Sequence, residues 1–217
     1  INYAGKDYDD FTVQFAAGPE LALNDETRVS FQALGSQRWY GGKTANRAFG
    51  GRATLQYELA EGQRVGVSLD ARHNDSGFSK GYDGWQMGAY ATYERVINRS
   101  LIASATLFGR RESLIADANS GTEFGANLGV GGELPLGINA GVSGGISKQA
   151  YDAANLFFSN DPRKDLRLNG RVNLGLRSVR MLGFSPSVTY SFSKSQSSIS
   201  LYDTTRHRLR FGLARYF

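Results

Sequence analysis

From about residue 8 to the carboxy terminus, ten to fourteen residues of strict apolar/polar alternation are followed by a turn, and this pattern recurs in about eleven segments. A period of two places successive side chains on opposite faces of an extended strand. Segments of this length match what a tilted strand needs to cross a bilayer and are about twice the usual soluble strand. Residues 166–177 are the clearest case: Leu166, Leu168, Val172, Leu174 and Leu176 alternate with Arg167, Asn169, Arg171, Asn173 and Arg177. The last segment sets His207, Leu209, Phe211, Leu213 and Phe217 against Arg206, Arg208 and Arg210. Phe11, Val13 and Phe15, then Val65, Val67 and Leu69, then Val188, Tyr190 and Phe192 repeat the stripe.

Alternation alone does not separate a membrane barrel from a soluble sheet, so the connections have to decide. Tight turns fall at Asn24–Thr27, Glu61–Gln63, Ile97–Arg99, Pro135–Gly137 and Val179–Leu182, and longer polar connections at 36–47, 73–83, 112–121, 149–164 and 194–204. One rim of short turns and one of long loops is the pattern of an outer-membrane barrel with the short rim in the periplasm. Phe49, Tyr57, Trp85, Tyr93, Phe124 and Phe184 fall near strand ends, where an interfacial aromatic belt is expected. The expectation is therefore an all-β, antiparallel, transmembrane up-and-down barrel with about eleven strands in this chain, part of a 12- or 14-stranded whole. With Asn24–Thr27 periplasmic, residues 1–7 read as the end of an outer loop, which predicts an earlier strand before Ile1 and makes 1–217 the carboxy-terminal part of one barrel domain.

Composition narrows the chemistry. No run approaches the roughly 18 apolar residues of a spanning helix, and the absence of cysteine removes thiolate metal sites, disulfides and cysteine nucleophiles. A net charge of +5 raises nucleic acid as a partner, but the basic residues are spread through alternating strands without a nucleic-acid motif, so none is expected. His73, beside Asp75, offers a base–acid pair at an outer strand end, and the simpler reading is a polar loop entrance. His207 lies among three arginines with no nucleophile elbow in the chain, so no enzyme, metal or cofactor is expected. Gly129–Gly132 and Gly144–Gly145 lie inside alternating segments and mark bends or close approaches.

The polar faces carry the informative charges. Arg167, Arg171 and Arg177 share one strand, Arg206, Arg208 and Arg210 a later one, and Glu58, Asp70, Glu94 and Glu123 come from earlier strands. Two readings stand: a charged wall that binds an anionic solute or polypeptide, and a lumen that fills itself with cross-barrel pairs.

Arg163-Lys164-Asp165, then Gly183, Pro186, Val188 and Tyr190, then Ser198-Ile199-Ser200-Leu201-Tyr202-Asp203, Arg206 and the closing Phe211-Gly212-Leu213-Ala214-Arg215-Tyr216-Phe217 are a specific series. Through them the last third resembles the carboxy-terminal barrel of the surface lipoprotein assembly modifier family, often called Slam. The resemblance implies a fourteen-strand barrel preceded by a periplasmic tetratricopeptide-repeat domain, and a role in moving lipoproteins across the outer membrane for surface display. It also implies a closing-strand signal for the barrel-assembly machinery at Phe211, Leu213 and Phe217. The expected partners are outer-membrane lipid, that machinery and a lipoprotein or polypeptide cargo. A passive porin and a structural or adhesion barrel are the alternatives.

Overall fold

A computed structural model describes residues 9–179 and 184–214. Its strands are β1 (Asp10–Ala17), β2 (Glu20–Ala22), β3 (Thr27–Tyr40), β4 (Lys43–Ala60), β5 (Gln63–Ser76) and β6 (Gly84–Asn98). They continue as β7 (Leu101–Leu114), β8 (Gly121–Leu134), β9 (Ile138–Tyr151), β10 (Lys164–Leu176), β11 (Ser185–Ser197) and β12 (Thr204–Ala214). All belong to one 12-stranded antiparallel sheet in which each strand from β3 onward pairs with the next. Short β2 pairs with β3 as β1 does, so β1 and β2 are two pieces of one stave, broken at Gly18-Pro19 where proline removes a ladder donor. Eleven staves result, the number of alternating segments read from the sequence. Among the described residues the sheet is not closed, and β1 and β12 are its edges.

Polarity is inverted relative to a soluble protein. Ala45 is the one buried apolar residue among the described residues, whereas Asp70, Asn74, Asp83, Ser120, Ser147, Gln149, Asp165 and Ser185 are buried. Asp83 and Ser120 lie in loops, and the register assigns the buried polar side chains of the strands to one face: Asp165 stands opposite Gln149 on β9 and Ser197 on β11, and Arg167 opposite Ser147 and Ser195. Leu168, Val172 and Leu174 share the other face with Ile146, Val142 and Val188, and all but half-buried Val188 are exposed. The sheet curls around its polar face: one cavity is lined both by Asn74 of β5 and by Ile199 and Tyr202 beyond β11. Apolar outside and polar inside is stable only where hydrocarbon replaces water around the outer face.

The turns have local causes. Asn24 Oδ1 accepts from the N–H groups of Glu26 and Thr27 at 3.0 and 2.6 Å, and Asn98 Oδ1 does the same for Ser100 and Leu101 at 3.0 Å each. An Asx turn thus closes two hairpins on the tight rim. On the opposite rim most expected loops are present but shorter, at 77–83, 115–120, 152–163 and 198–203. The long loop expected at 36–47 is absent. Strands β3 and β4 continue through it and join at Gly41-Gly42, with φ of 56° and 73°. Two consecutive left-handed residues fit a two-residue hairpin turn, and glycine adopts them without steric penalty. The polar residues Ser36, Gln37, Arg38, Thr44 and Asn46, loop-like in composition, are strand residues of an extended hairpin.

Candidate functional site

The inner face is where charged side chains meet, and its register brings the expected acids to arginines. Asp70, with a side chain 3% exposed, lies between Arg52 at 3.7 Å and Arg72 at 3.8 Å. Glu94 accepts from Arg64 Nε at 3.0 Å and its second nitrogen at 2.5 Å. Glu58 stands opposite Arg64 across the β4–β5 pair and is exposed. Glu123 is the most connected: Ser147 Oγ donates to it at 2.6 Å, and Arg110 and Arg167 each approach to 3.6 Å from opposite sides. Arg167 also reaches Asp165 at 3.5 Å, and Asp165 reaches Arg163 at 3.3 Å. Arg110 lies over the Phe108 ring at 4.7 Å and donates to Tyr90 Oη at 3.2 Å, so an aromatic pair anchors the chain of charges at β6 and β7. Room for these large inner side chains comes from small neighbours: a Cβ at Gly145 would stand 1.9 Å from Asn127 Oδ1. The glycine-rich stretch there serves a close approach of side chains.

The wall formed by β10–β12 is built differently. Arg171, Arg206 and Arg208 line a cavity of about 430 Å³ with Asn127, Ser143, Asn169, Ser191 and Ser193. Arg206, Arg208 and Arg210 stand opposite Ser193, Ser191 and Thr189, and the inner side of β11 from Ser185 to Ser197 is hydroxyl throughout. Among the described residues none of Arg171, Arg206, Arg208 and Arg210 makes an ion pair. Hydroxyls and amides hydrogen-bond a guanidinium without cancelling its charge. Arg177 pairs with Glu133 at 2.8 Å at the tight-turn rim.

Sequence reasoning missed the partners Arg52, Arg64, Arg72 and Arg110, the aromatic anchor Tyr90–Phe108, and the closure of the looped rim. In that closure the incoming strand's last N–H is captured by a side chain from the far end of the loop. Ser76 N–H donates to Asp83 Oδ1 at 2.6 Å, Leu114 N–H to Ser120 Oγ at 2.9 Å, and Ser197 N–H to Asp203 Oδ1 at 2.7 Å. The hydrogen bond from Ser76, followed by the Lys80 ammonium at 2.9 Å, holds the Asp83 carboxyl below its ordinary range. Arg163 lies between the rings of Tyr151 and Tyr202, 3.9 and 4.0 Å from their centroids. The repeated Tyr82-Asp83 and Tyr202-Asp203 pairs were the available signal.

Both histidines stand on the outer face. His73 packs between Phe49 and Trp85, with ring centroids 5.6 and 5.3 Å away, and its Nδ1 is 3.7 Å from Asp75. His207 Nδ1 is 2.8 Å from Tyr190 Oη. Among the described residues no cluster of acids and histidines is arranged to hold a metal. Phe211 and Leu213 are exposed on the outer side of β12, and Phe217 lies outside the described residues.

Comparison with known proteins gives one family. The family model described as surface lipoprotein assembly modifier matches residues 2–217. No curated protein matches the chain.

Proposed function

The chain belongs to the surface lipoprotein assembly modifier family, whose role is in lipoprotein assembly at the surface, and from this premise we propose that the sheet is part of a Gram-negative outer-membrane barrel that passes a lipoprotein or related polypeptide outward. Inverted polarity is the observation that carries the reading: one face of the sheet is apolar and exposed, and the other is polar and charged, with Asp70 and Asp165 buried on it. In this reading the tight-turn rim is periplasmic, the locked loops are outside, and further strands and a periplasmic repeat domain complete the protein. The uncompensated arginines of β10–β12 offer a passing polypeptide hydrogen bonds to its carbonyls and carboxylates, while the paired wall holds the shape of the passage. Phe211, Leu213 and Phe217 serve the barrel-assembly machinery.

The test is reconstitution of the full-length protein in proteoliposomes with a candidate surface lipoprotein from the same organism. Protease-accessible cargo should appear on the far side only in the protein's presence. Equal passage of small sugars with no movement of the lipoprotein would favour a porin and defeat the translocation reading.

A further inference from the structure

The outer face of β9–β11 is apolar for most of its height, through Val142, Ile146, Leu168, Val172 and Val188. At the looped end it changes abruptly to Lys148, Lys164 and Lys194. Lys148 stands opposite Leu166, Lys164 lies two residues before Leu166 on β10, and Lys194 stands opposite Leu168 from the other side. With strands about 4.8 Å apart and a rise near 3.3 Å per residue, the three fall within a patch of about 10 by 13 Å. Lys148 and Lys164 are exposed and Lys194 is half-buried.

These lysines are still within hydrogen-bonded strands, one or two residues beyond side chains that face hydrocarbon, so their stems follow the apolar surface and their ammonium groups gather at headgroup height. Among the described residues none of the three makes an ion pair. The nearby outward carboxylate, Asp152, is engaged by both terminal nitrogens of Arg111 at 2.7 and 2.5 Å. Gln196, opposite Leu166, and Thr205, opposite Lys194, add neutral donors to the same face. At the tight-turn end the same staves present Ile138, Leu176 and Pro186 outward instead. Three mutually repelling cations with neutral donors beside them fit a ligand carrying more than one negative charge at membrane-surface height.

We propose that Lys148, Lys164 and Lys194 form a binding site for the phosphate groups of a phosphorylated glycolipid in the outer leaflet. The leaflet assignment rests on the orientation given under Proposed function; the anion chemistry of the patch stands apart from it. Lipid bound there covers the β9–β11 stretch beside the uncompensated arginine wall.

The test uses the full-length protein folded in detergent, with lipid A, its dephosphorylated form and inorganic phosphate as probes, read by native mass spectrometry and competition. Lipid A should be retained over the dephosphorylated form, K148Q/K164Q/K194Q should weaken it about tenfold, and K148R/K164R/K194R should restore it. Equal retention of the two lipids by the unaltered protein, or an unchanged affinity in the Gln variant, overturns the site. Displacement of lipid A by inorganic phosphate at matched concentration overturns the lipid assignment in favour of a free anion. Should the triple Gln variant fail to fold, K164Q alone and the two-lipid comparison on the unaltered protein decide. Orientation is checked separately with a protease-cleavable tag in loop 152–163 of intact cells. Lipid A retention with an inaccessible tag defeats the orientation and keeps the site; an accessible tag without retention does the reverse.

Discussion

The inner faces of β4–β8 and β10–β12 carry the same cation on the same kind of strand, yet one is neutralised and the other is not. Along β4–β8, Arg52 and Arg72 hold Asp70, Arg64 holds Glu94, and Arg110 holds Glu123. Along β10–β12, Arg171, Arg206, Arg208 and Arg210 face serine, threonine and asparagine. Arg167 is the seam, since it leaves β10 to reach Glu123 two strands away. The difference separates two uses of one residue. A paired arginine has its charge met by a neighbouring carboxylate, while an arginine among hydroxyls keeps its field uncancelled, which the proposed function uses for a passing polypeptide.

The largest effect that would break this contrast is expected at Asp70. Its carboxylate is nearly inaccessible between two guanidinium groups, so Asp70→Asn leaves both cations without an anion. The two arginines stay partly accessible, with side chains 38% and 41% exposed, so the cost falls between that of a surface pair and of a fully buried one, about 2 kcal/mol. Denaturant titration of the barrel folded into lipid vesicles should show that loss. A stability unchanged within about 0.5 kcal/mol, as for an ordinary surface site, would mean that the paired wall is not structural.

Sharpening comes from the other wall. Replacing Arg171, Arg206, Arg208 and Arg210 together by Gln removes charges that hold no carboxylate, so stability should stay within about 1 kcal/mol, the range of substitutions outside packed or paired sites. Lipoprotein display should fall, and in planar bilayers the pore's anion-over-cation preference should drop severalfold. A matching change from Arg52→Gln and Arg64→Gln would erase the distinction between the walls.

How much of this was legible in the sequence follows from what each feature depends on. The faces were legible because a period of two needs no partner: Leu209, Phe211 and Leu213 outward and Arg206, Arg208 and Arg210 inward follow from parity alone. Parity also assigns the acids Asp70, Glu94 and Glu123 inward. Their partners were not, because the Arg167–Glu123 contact depends on register across three strands and on the curl of the sheet. Residues 36–47 mislead because an extended hairpin can be as polar as a loop, and only the paired φ angles of Gly41-Gly42 separate the two. His73, read as a loop entrance, packs on Phe49 and Trp85 from neighbouring strands, which no local pattern announces.

The smallest expected effect concerns the looped rim, where the sheet's two regions are closed by the same device. Asp83 locks the β5–β6 loop on the neutralised side and Asp203 the β11–β12 loop on the uncompensated side. Because folding lowers the Asp83 carboxyl below its ordinary range, through the Ser76 N–H first and Lys80 second, its contribution is fully present above the unfolded carboxylate range. It is lost as pH falls through the still lower folded value. Loop 77–83 should therefore resist an external protease across neutral and mildly acidic pH, and loosen only in strong acid. Asp83→Asn keeps one acceptor for Ser76 and loses the charge that Lys80 meets, so cleavage within 77–83 should rise severalfold at neutral pH while the barrel's melting temperature holds. Cleavage that already rises at mildly acidic pH in the unaltered protein would contradict the lowered carboxyl. An Asp203→Asn variant that opens both loops equally would show that the rim closes as one unit, whichever wall lies beneath it.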